Sequence, residues 1–466
     1  MELYERLEQI VKELRPVFHR EATFKWFVLL LWGVLLTTQA PAVTSYVNAL
    51  GLSEGYYHQA LHWFDSSAFR IDELCNQWGE WLSEHPNTHC LKGERVYVGD
   101  GIKVSKEGRK MPGVKGLHQE SEDVSKPEWI RGHYFSALGV LLGAEQALFA
   151  IPIILKLHDG IKGVDTEAEG TLVDKMATLC VQLVVKGSYV ILDAYYASAK
   201  VLTPFREQGI DLVSRVRITT VAHAAFCRCK GQHRPGRPRQ WGTEVKLREL
   251  FAPLEDCFKA SVWLYGQQTT VYYQCCQFDW DSADELVLFV LTQLPTGKRI
   301  ILLSSDLTLS AQQVIQAYGW RFKIEVTFRT LIQLLDGFCY RFWLKSMQTA
   351  SRWPQNLDLA DYPEAFHAHV ARKVEAFERF INLNAIAIGL LQVLALEMPK
   401  SVWHHFPVWF RTLPKHGYPS EQIVRLSIQH QLESNLARST PTLLLTKLLA
   451  DKFESSQGSN YHDLEV

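Results

Sequence analysis

From Arg95 the sequence becomes a succession of short apolar runs, and their order constrains the fold more than any other feature of the chain. RVYVGDGIKV (95–104), HYFSALGVLL (133–142) and ALFAIPIILKL (147–157) read as three strands, the last two joined by a short turn around Gly143. Residues 167–185 carry helical periodicity through Leu172, Met176, Leu179, Cys180, Leu183 and Val184. GSYVILDAYYAS (187–198) reads as a buried strand ending at Asp193 and leading into a helix start, and IDLVSRVR (210–217) as another strand. Three strands, a helix, then further strands and helices predict an α/β layer fold around a mixed sheet.

Residues 218–298 interrupt that alternation. They open on FCRCKGQHRPGRPRQWG (226–242), a basic loop punctuated by Gly and Pro, and continue with the strand-like runs ASVWLYG, TTVYYQCCQF and ELVLFVLTQL. We read them as a β-rich basic insertion between 93–217, the first part of the α/β unit, and 299–350, its last strand (KRIILLSSD) and a final helix. Both flanks read as helical, 1–92 and 351–466. In the first, Leu3, Leu7, Ile10, Val11 and Leu14 recur at helical spacing. Residues 44–52 and 54–64 then form two short helices broken at Gly51 and Ser53, which fits a helix-turn-helix that binds DNA ends or a plain bundle.

Composition narrows the class without choosing a function. A net charge of −1 gives no global sign of a nucleic-acid partner, so that case rests on local patches. Nine scattered cysteines with no secretory pattern before them read as reduced thiols in a cytoplasm. WFVLLLWGVLL (26–36) and AIAIGLLQVLAL (385–396) are shorter than the ~18 apolar residues a membrane span needs, and read as buried core helices of a soluble protein.

The final helix carries the most specific pattern. In YGWRFKIEVTFR (318–329), Tyr318, Arg321, Glu325 and Arg329 fall on one helical face, while Trp320, Ile324, Phe328 and Leu331 form an apolar face for a core. Ser310 with Gln313 forms a capping box at the start of this helix. Asp100 in a strand, Asp193 at a strand end and Glu325 on the helix can converge on one point. Converging acids repel unless a cation neutralises them. Mg²⁺ suits such a set because it takes oxygen ligands and keeps several waters. Each acid also has a structural reading: Asp193 as a helix cap, Asp100 beside Gly101 as a turn residue, Glu325 paired with Arg321 and Arg329.

The order Asp100, Asp193, Glu325 resembles the DDE transposases of bacterial insertion sequences. The helix is similar to that family's Tyr-x2-Arg-x3-Glu-x6-Lys signature in Tyr318, Arg321 and Glu325. SSDLTLSAQQVIQAY (304–318) resembles the segment leading into the signature, DGIKVSKEGRKMPGVKGLHQESED (100–123) that around the first aspartate, and the insertion that between the second and third acids. The resemblance covers residues 90–345. It departs from the pattern at Ile332, where the lysine that helps hold the DNA end should stand; Arg329, on the same face, is the substitute charge.

The resemblance implies a ribonuclease H-like catalytic domain and an endonuclease and strand transferase acting on double-stranded DNA. Asp100, Asp193 and Glu325 would hold two Mg²⁺ ions, with Mn²⁺ an expected substitute. Water activated there would nick the element's end, and the freed 3′-hydroxyl would attack either the opposite strand, making a hairpin, or target DNA. Tyr318 and Arg321 would grip phosphate near the scissile bond. Two ends brought together imply a homodimer, working on DNA in a bacterial cytoplasm.

DNA also needs cations nearby. Lys103, Lys106, Arg109, Lys110 and Lys115 stand against Glu107 alone in 103–115, and 228–248 carries a second patch whose GRPR element (Arg237, Arg239) resembles minor-groove motifs. Trp241, Trp263 and Trp280 are candidates to hold a base drawn from the stack, or core residues. Cys227 and Cys229 with His223 and His233 lack the spacing of standard zinc fingers. No GxxxxGK[ST] loop is present, so no nucleotide cofactor is expected. Two other readings stay open: a transposase-derived DNA-binding protein that no longer cuts, and a ribonuclease H-like nuclease without strand transfer.

Overall fold

The computed structural model describes residues 2–119, 127–163, 170–224, 242–264, 266–280, 285–408, 416–436 and 443–452. Helix α1 (Leu3–Glu13) buries Leu3, Leu7, Ile10 and Val11, the apolar stripe seen in the sequence. Helix α2 (Glu21–Leu36) is apolar on every side and correspondingly buried on every side. Three shorter helices follow: α3 (Val43–Ala49), α4 (Tyr57–Asp65) and α5 (Ile71–Ser83). Gly51, at φ 67°, takes the left-handed position that ends α3 and redirects the chain toward α4.

The three strands expected after Arg95 are β1 (Glu94–Ser105), β2 (Trp129–Leu142) and β3 (Phe149–Leu157), paired antiparallel in sequence order. Helix α6 (Leu172–Leu183) crosses back to β4 (Tyr189–Leu192), which runs parallel to β1. Helix α7 (Ala199–Gln208) then leads to β5 (Asp211–Val216), parallel to β4. The spatial order β3-β2-β1-β4-β5, antiparallel in one half and parallel in the other, is a ribonuclease H-like sheet.

Residues from the insertion do not stack on this sheet; they lengthen it. Strands β6 (Phe258–Leu264), β7 (Gln267–Trp280) and β8 (Glu285–Gln293) form an antiparallel meander. Strand β9 (Arg299–Ser304) joins β8 on one side and β5 on the other, both antiparallel. Helices α8 (Ala311–Trp320) and α9 (Phe322–Leu335) follow.

The free edge of β3 would be a row of unpaired backbone groups, and α10 (Glu364–Glu397) covers it with side chains. Asn382 accepts the Leu155 N–H at 2.8 Å and donates to the Leu155 carbonyl at 2.9 Å, and Glu378 accepts the Leu157 N–H at 2.9 Å. This helix has 34 residues, far more than the apolar run at 385–396 suggested, because that run is only its most buried part. It is long and apolar enough to cross a membrane, yet 94% of its most apolar window is buried inside the molecule. Helices α11 (Pro399–His405) and α12 (Glu421–Leu436) also pack against it.

Candidate active site

Strand register brings the two aspartates together. Val96 pairs with Tyr189 and Val98 with Ile191, so continuing two residues sets Asp100 beside Asp193, where the parallel strand β4 ends. Loops at the carboxyl ends of parallel strands are where open α/β sheets place ligands. Asp100 lies within β1 and not in a turn, its Oδ1 accepting the Gly101 N–H at 2.8 Å. A side chain at 101 would collide with the Tyr134 hydroxyl, so glycine there lets the strands close behind the acid. Asp193 precedes a short 3₁₀ turn, Ala194–Tyr196, but its carboxylate does not cap it.

The third acid arrives on α9, with one difference from the single straight helix expected from the sequence. The ladder tightens at Arg321, whose N–H bonds the Tyr318 carbonyl at 3.2 Å while the Ile324 N–H bonds the Arg321 carbonyl at 3.2 Å. Bonds of this i→i−3 type are a local 3₁₀ turn, and they divide α8 from α9. The Ser310–Gln313 capping box starts α8, and Trp320, Ile324, Phe328 and Leu331 are all buried.

One guanidinium links all three acids. Arg321 Nη1 donates to Asp100 Oδ2 at 2.8 Å, Nη2 donates to Glu325 Oε1 at 2.5 Å, and Nε lies 3.9 Å from Asp193 Oδ1. Its side chain is 17% exposed. Tyr318 donates from its hydroxyl to Asp193 Oδ1 at 3.0 Å. Two expectations change here. Tyr318 is buried and not displayed on a polar face, and Arg321 is engaged by carboxylates and not turned outward to phosphate. Both follow from the converging acids, which are the strongest acceptors within reach.

Electrostatics follow the same geometry. Burial pushes Asp100 up to about 6, with Arg321 and the Gly101 N–H pulling the other way and Asp193 and Glu325 adding to the rise. Burial pulls Arg321 down, but Asp100, Tyr318, Asp193 and Glu325 together hold it above its ordinary value. Burial, then the Asp193 charge, raises Tyr318. Among the described residues no group of three or more His, Cys, Asp or Glu side chains is close enough to hold a metal ion together. The donor chemistry nevertheless fits a divalent cation: three carboxylates, hard oxygen donors, already share a single positive group, and that group is Arg321.

The remaining candidates divide. Lys103 and Arg109 are exposed, and Lys110 reaches the Lys345 carbonyl at 3.1 Å. Lys115 is paired with Asp159 at 2.9 Å. Lys106 is a correction: it is buried, its ammonium donating to the Phe338 carbonyl and lying 3.6 Å from the centre of the Tyr340 ring. Burial lowers it to about 8, and it is not placed to meet DNA. Arg329 is exposed on α9, and Ile332, one turn on, is 44% exposed. Arg237, Arg239, Trp241, Cys227, Cys229 and His233 lie outside the described residues; His223 is buried on a short strand. Trp280 is buried and Trp263 partly exposed.

Sequence reasoning missed two contributors. Arg215 on β5 stands 4.0 Å from Asp193, and the one basic residue of a largely apolar strand was its signal. Tyr134 and Tyr196 share a hydroxyl–hydroxyl hydrogen bond of 2.8 Å behind Asp100, and no local pattern announces that pair.

Fold and site together define a ribonuclease H-like chain with a three-carboxylate centre. A comparison with family models is more particular: residues 162–346 match the family described as Transposase DDE domain. The match includes Asp193, Tyr318, Arg321 and Glu325, while Asp100 precedes it. The solved structures include a similar chain described as "Cryo-EM structure of piggyBac transposase synaptic complex with hairpin DNA". It is 12% identical, with a TM-score of 0.39 over 97% of this chain and 84% of that one. A comparison with curated proteins returns no match.

Proposed function

We propose that this chain is a DNA transposase that cleaves the ends of its element and joins them to target DNA, with Asp100, Asp193 and Glu325 as the catalytic carboxylates. The observation that carries this reading is their convergence on Arg321 from three separate elements, on a ribonuclease H-like sheet, with two of them inside the matched DDE stretch. The three acids would hold two Mg²⁺ ions, with Mn²⁺ as substitute, and ions so held activate an attacking oxygen and stabilise a leaving one. The residues of the chain do the rest. Tyr318 fixes the Asp193 carboxylate through its hydroxyl hydrogen bond. Arg321, once released by the acids, has the fork geometry to hold a DNA phosphate, and Arg329 adds charge on the exposed face of α9. Lys103, Arg109 and Lys110 would track the DNA backbone, joined by Arg237 and Arg239 from the basic loop. A homodimer would bring two ends together, and strand transfer would pass directly to target DNA or through a hairpin.

The test is a denaturing gel. Labelled DNA spanning the gene's own flanks is incubated with the protein, with and without Mg²⁺ or Mn²⁺, beside Asp193→Ala and Glu325→Ala controls. Cuts at fixed points that need metal and vanish in both controls are expected; a slow-migrating hairpin would identify the strand-transfer route. Cuts that persist in the controls would refute the assignment of the acids. The guanidinium lodged between the acids also favours a second reading, a DNA-binding protein that no longer cuts. A shifted complex in a native gel with no metal-dependent cuts would select it.

A further inference from the structure

Residues 337–356 run for a long stretch without helix or strand, directly after the helix that carries Glu325. Loops of such length are uncommon inside a compact fold and usually serve a function. Their composition is one-sided: Arg341, Lys345 and Arg352, and no acid. The strap is also firmly held. The Leu344 N–H donates to the Lys110 carbonyl at 2.8 Å, the Ala350 N–H to the Arg109 carbonyl at 2.9 Å, and the Gly116 N–H to the Pro354 carbonyl at 3.1 Å. Tyr340 stacks on Phe377, and Met347 is buried in a small cluster with Leu359, Phe366 and Val370.

Against this inward anchoring, two large aromatics face out. Trp343 is 57% exposed and Trp353 48% exposed, the latter beside Gly116. Single exposed apolar residues are ordinary on a surface. Two indoles on one tethered, acid-free strap, bonded to the backbone of the exposed Arg109, form the combination that binds nucleic-acid strands: cations for the backbone and flat rings for base faces. A fully paired duplex hides its base faces inside the stack, so the rings select unpaired bases.

We propose that the 341–353 strap is a binding surface for unpaired DNA, with Trp343 and Trp353 stacking on bases and Arg341, Lys345 and Arg352 on phosphates. This inference rests on the transposase reading for its partner, since DNA opened at a cleaved end presents such bases. Charge complementarity favours DNA over a second copy of this chain, whose facing strap would carry the same positive sign.

The experiment uses the full chain in EDTA, so that it reads binding without cleavage. Fluorescence anisotropy compares a duplex bearing a six-nucleotide single-stranded tail with the same duplex blunt. Trp343→Ala and Trp353→Ala should each weaken binding to tailed DNA by about fivefold or more and leave blunt DNA little changed. Trp→Phe at either position should restore most of the loss. Arg341→Ala with Lys345→Ala should weaken both DNAs and flatten the salt dependence. Unchanged binding to tailed DNA, or equal losses on both DNAs, would overturn stacking on unpaired bases. Light scattering on the same variants separates the remaining possibility: dimers that become monomers when the indoles are removed would make the strap a contact between copies and overturn the proposal. A chain that fails the metal-dependent cleavage test but still prefers tailed DNA would keep the strap and lose only the catalytic reading.

Discussion

Replacing Arg321 with alanine should destabilise the metal-free protein in a way that depends on pH. Breaking a buried ion pair by removing one partner costs about 3–5 kcal/mol. Here Arg321 and Asp100 keep 17% and 19% of their side chains exposed, which places the loss near the lower end, about 3 kcal/mol. Glu325 is half exposed and adds no more than about 0.5 kcal/mol, and Asp193 at 3.9 Å adds less. Asp100 carries the pH dependence. Burial raises it to about 6, above its ordinary 3.8, so the protein loses stability from this group as pH rises through that window. Arg321 limits the rise; without it Asp100 titrates higher still and the penalty at pH 7.5 grows. At pH 5 Asp100 is mostly protonated with or without its partner, and the loss in Arg321→Ala should shrink to about 1 kcal/mol. Urea denaturation in EDTA at the two pH values measures both numbers. Adding Mg²⁺ at pH 7.5 should return part of the lost stability, because a ligand that binds only the folded state stabilises it by mass action. Arg321→Lys should fall between, since one ammonium cannot reach three carboxylates as a guanidinium does. Equal losses at pH 5 and pH 7.5 would refute the claim that Arg321 acts as counter-cation to Asp100, and no loss at either would refute the buried pair altogether.

Two further outcomes concern the scaffold around the site. His133 is buried between the Tyr340 hydroxyl and the Pro112 carbonyl, and burial lowers it to about 3. Its neutral form is therefore worth stability above pH 6.5 that is lost as pH falls toward 3, about 1.4 kcal/mol per pH unit across that window; His133→Gln should remove this slope from an acid-unfolding series. Asn382→Leu should cost about 2–4 kcal/mol in urea denaturation, because it strips both hydrogen bonds from the Leu155 backbone at the buried edge of β3.

Which parts of this site could be read in the sequence follows from the range of the signals. Strands β1 to β5 are legible because alternation, apolar runs and turn residues are local, and their order alone implies a mixed sheet. Asp100 and Asp193 are legible for the same reason, each sitting at a fixed place on a strand. The fate of charged side chains is not local. Lys106 reads as part of a solvated basic run, yet the carbonyl it meets belongs to Phe338, 232 residues further on. Tyr318 reads as the start of a polar face, and a wheel drawn on one straight helix keeps it there. The tightened turn at Arg321 and the pull of Asp193 bury it instead.

The spacing of Arg321 and Glu325 joins the local to the non-local. Four residues apart on a helix, they would pair on any exposed surface, and that pairing alone gives no reason for α9 to approach the sheet. What brings it there is the apolar face, with Ile324 and Leu331 fully buried and Thr327 donating to the Ala150 carbonyl on β3 at 2.7 Å. Once that face is seated, the guanidinium paired with Glu325 also reaches the two aspartates delivered by β1 and β4. A chain that gathers three carboxylates must supply a cation or protonate an acid, and this fold does both in part: Arg321 lies among the acids, and Asp100 remains raised toward neutrality. The same arrangement keeps all three acids within reach of one guanidinium, so the charge that offsets their mutual repulsion comes from the chain itself.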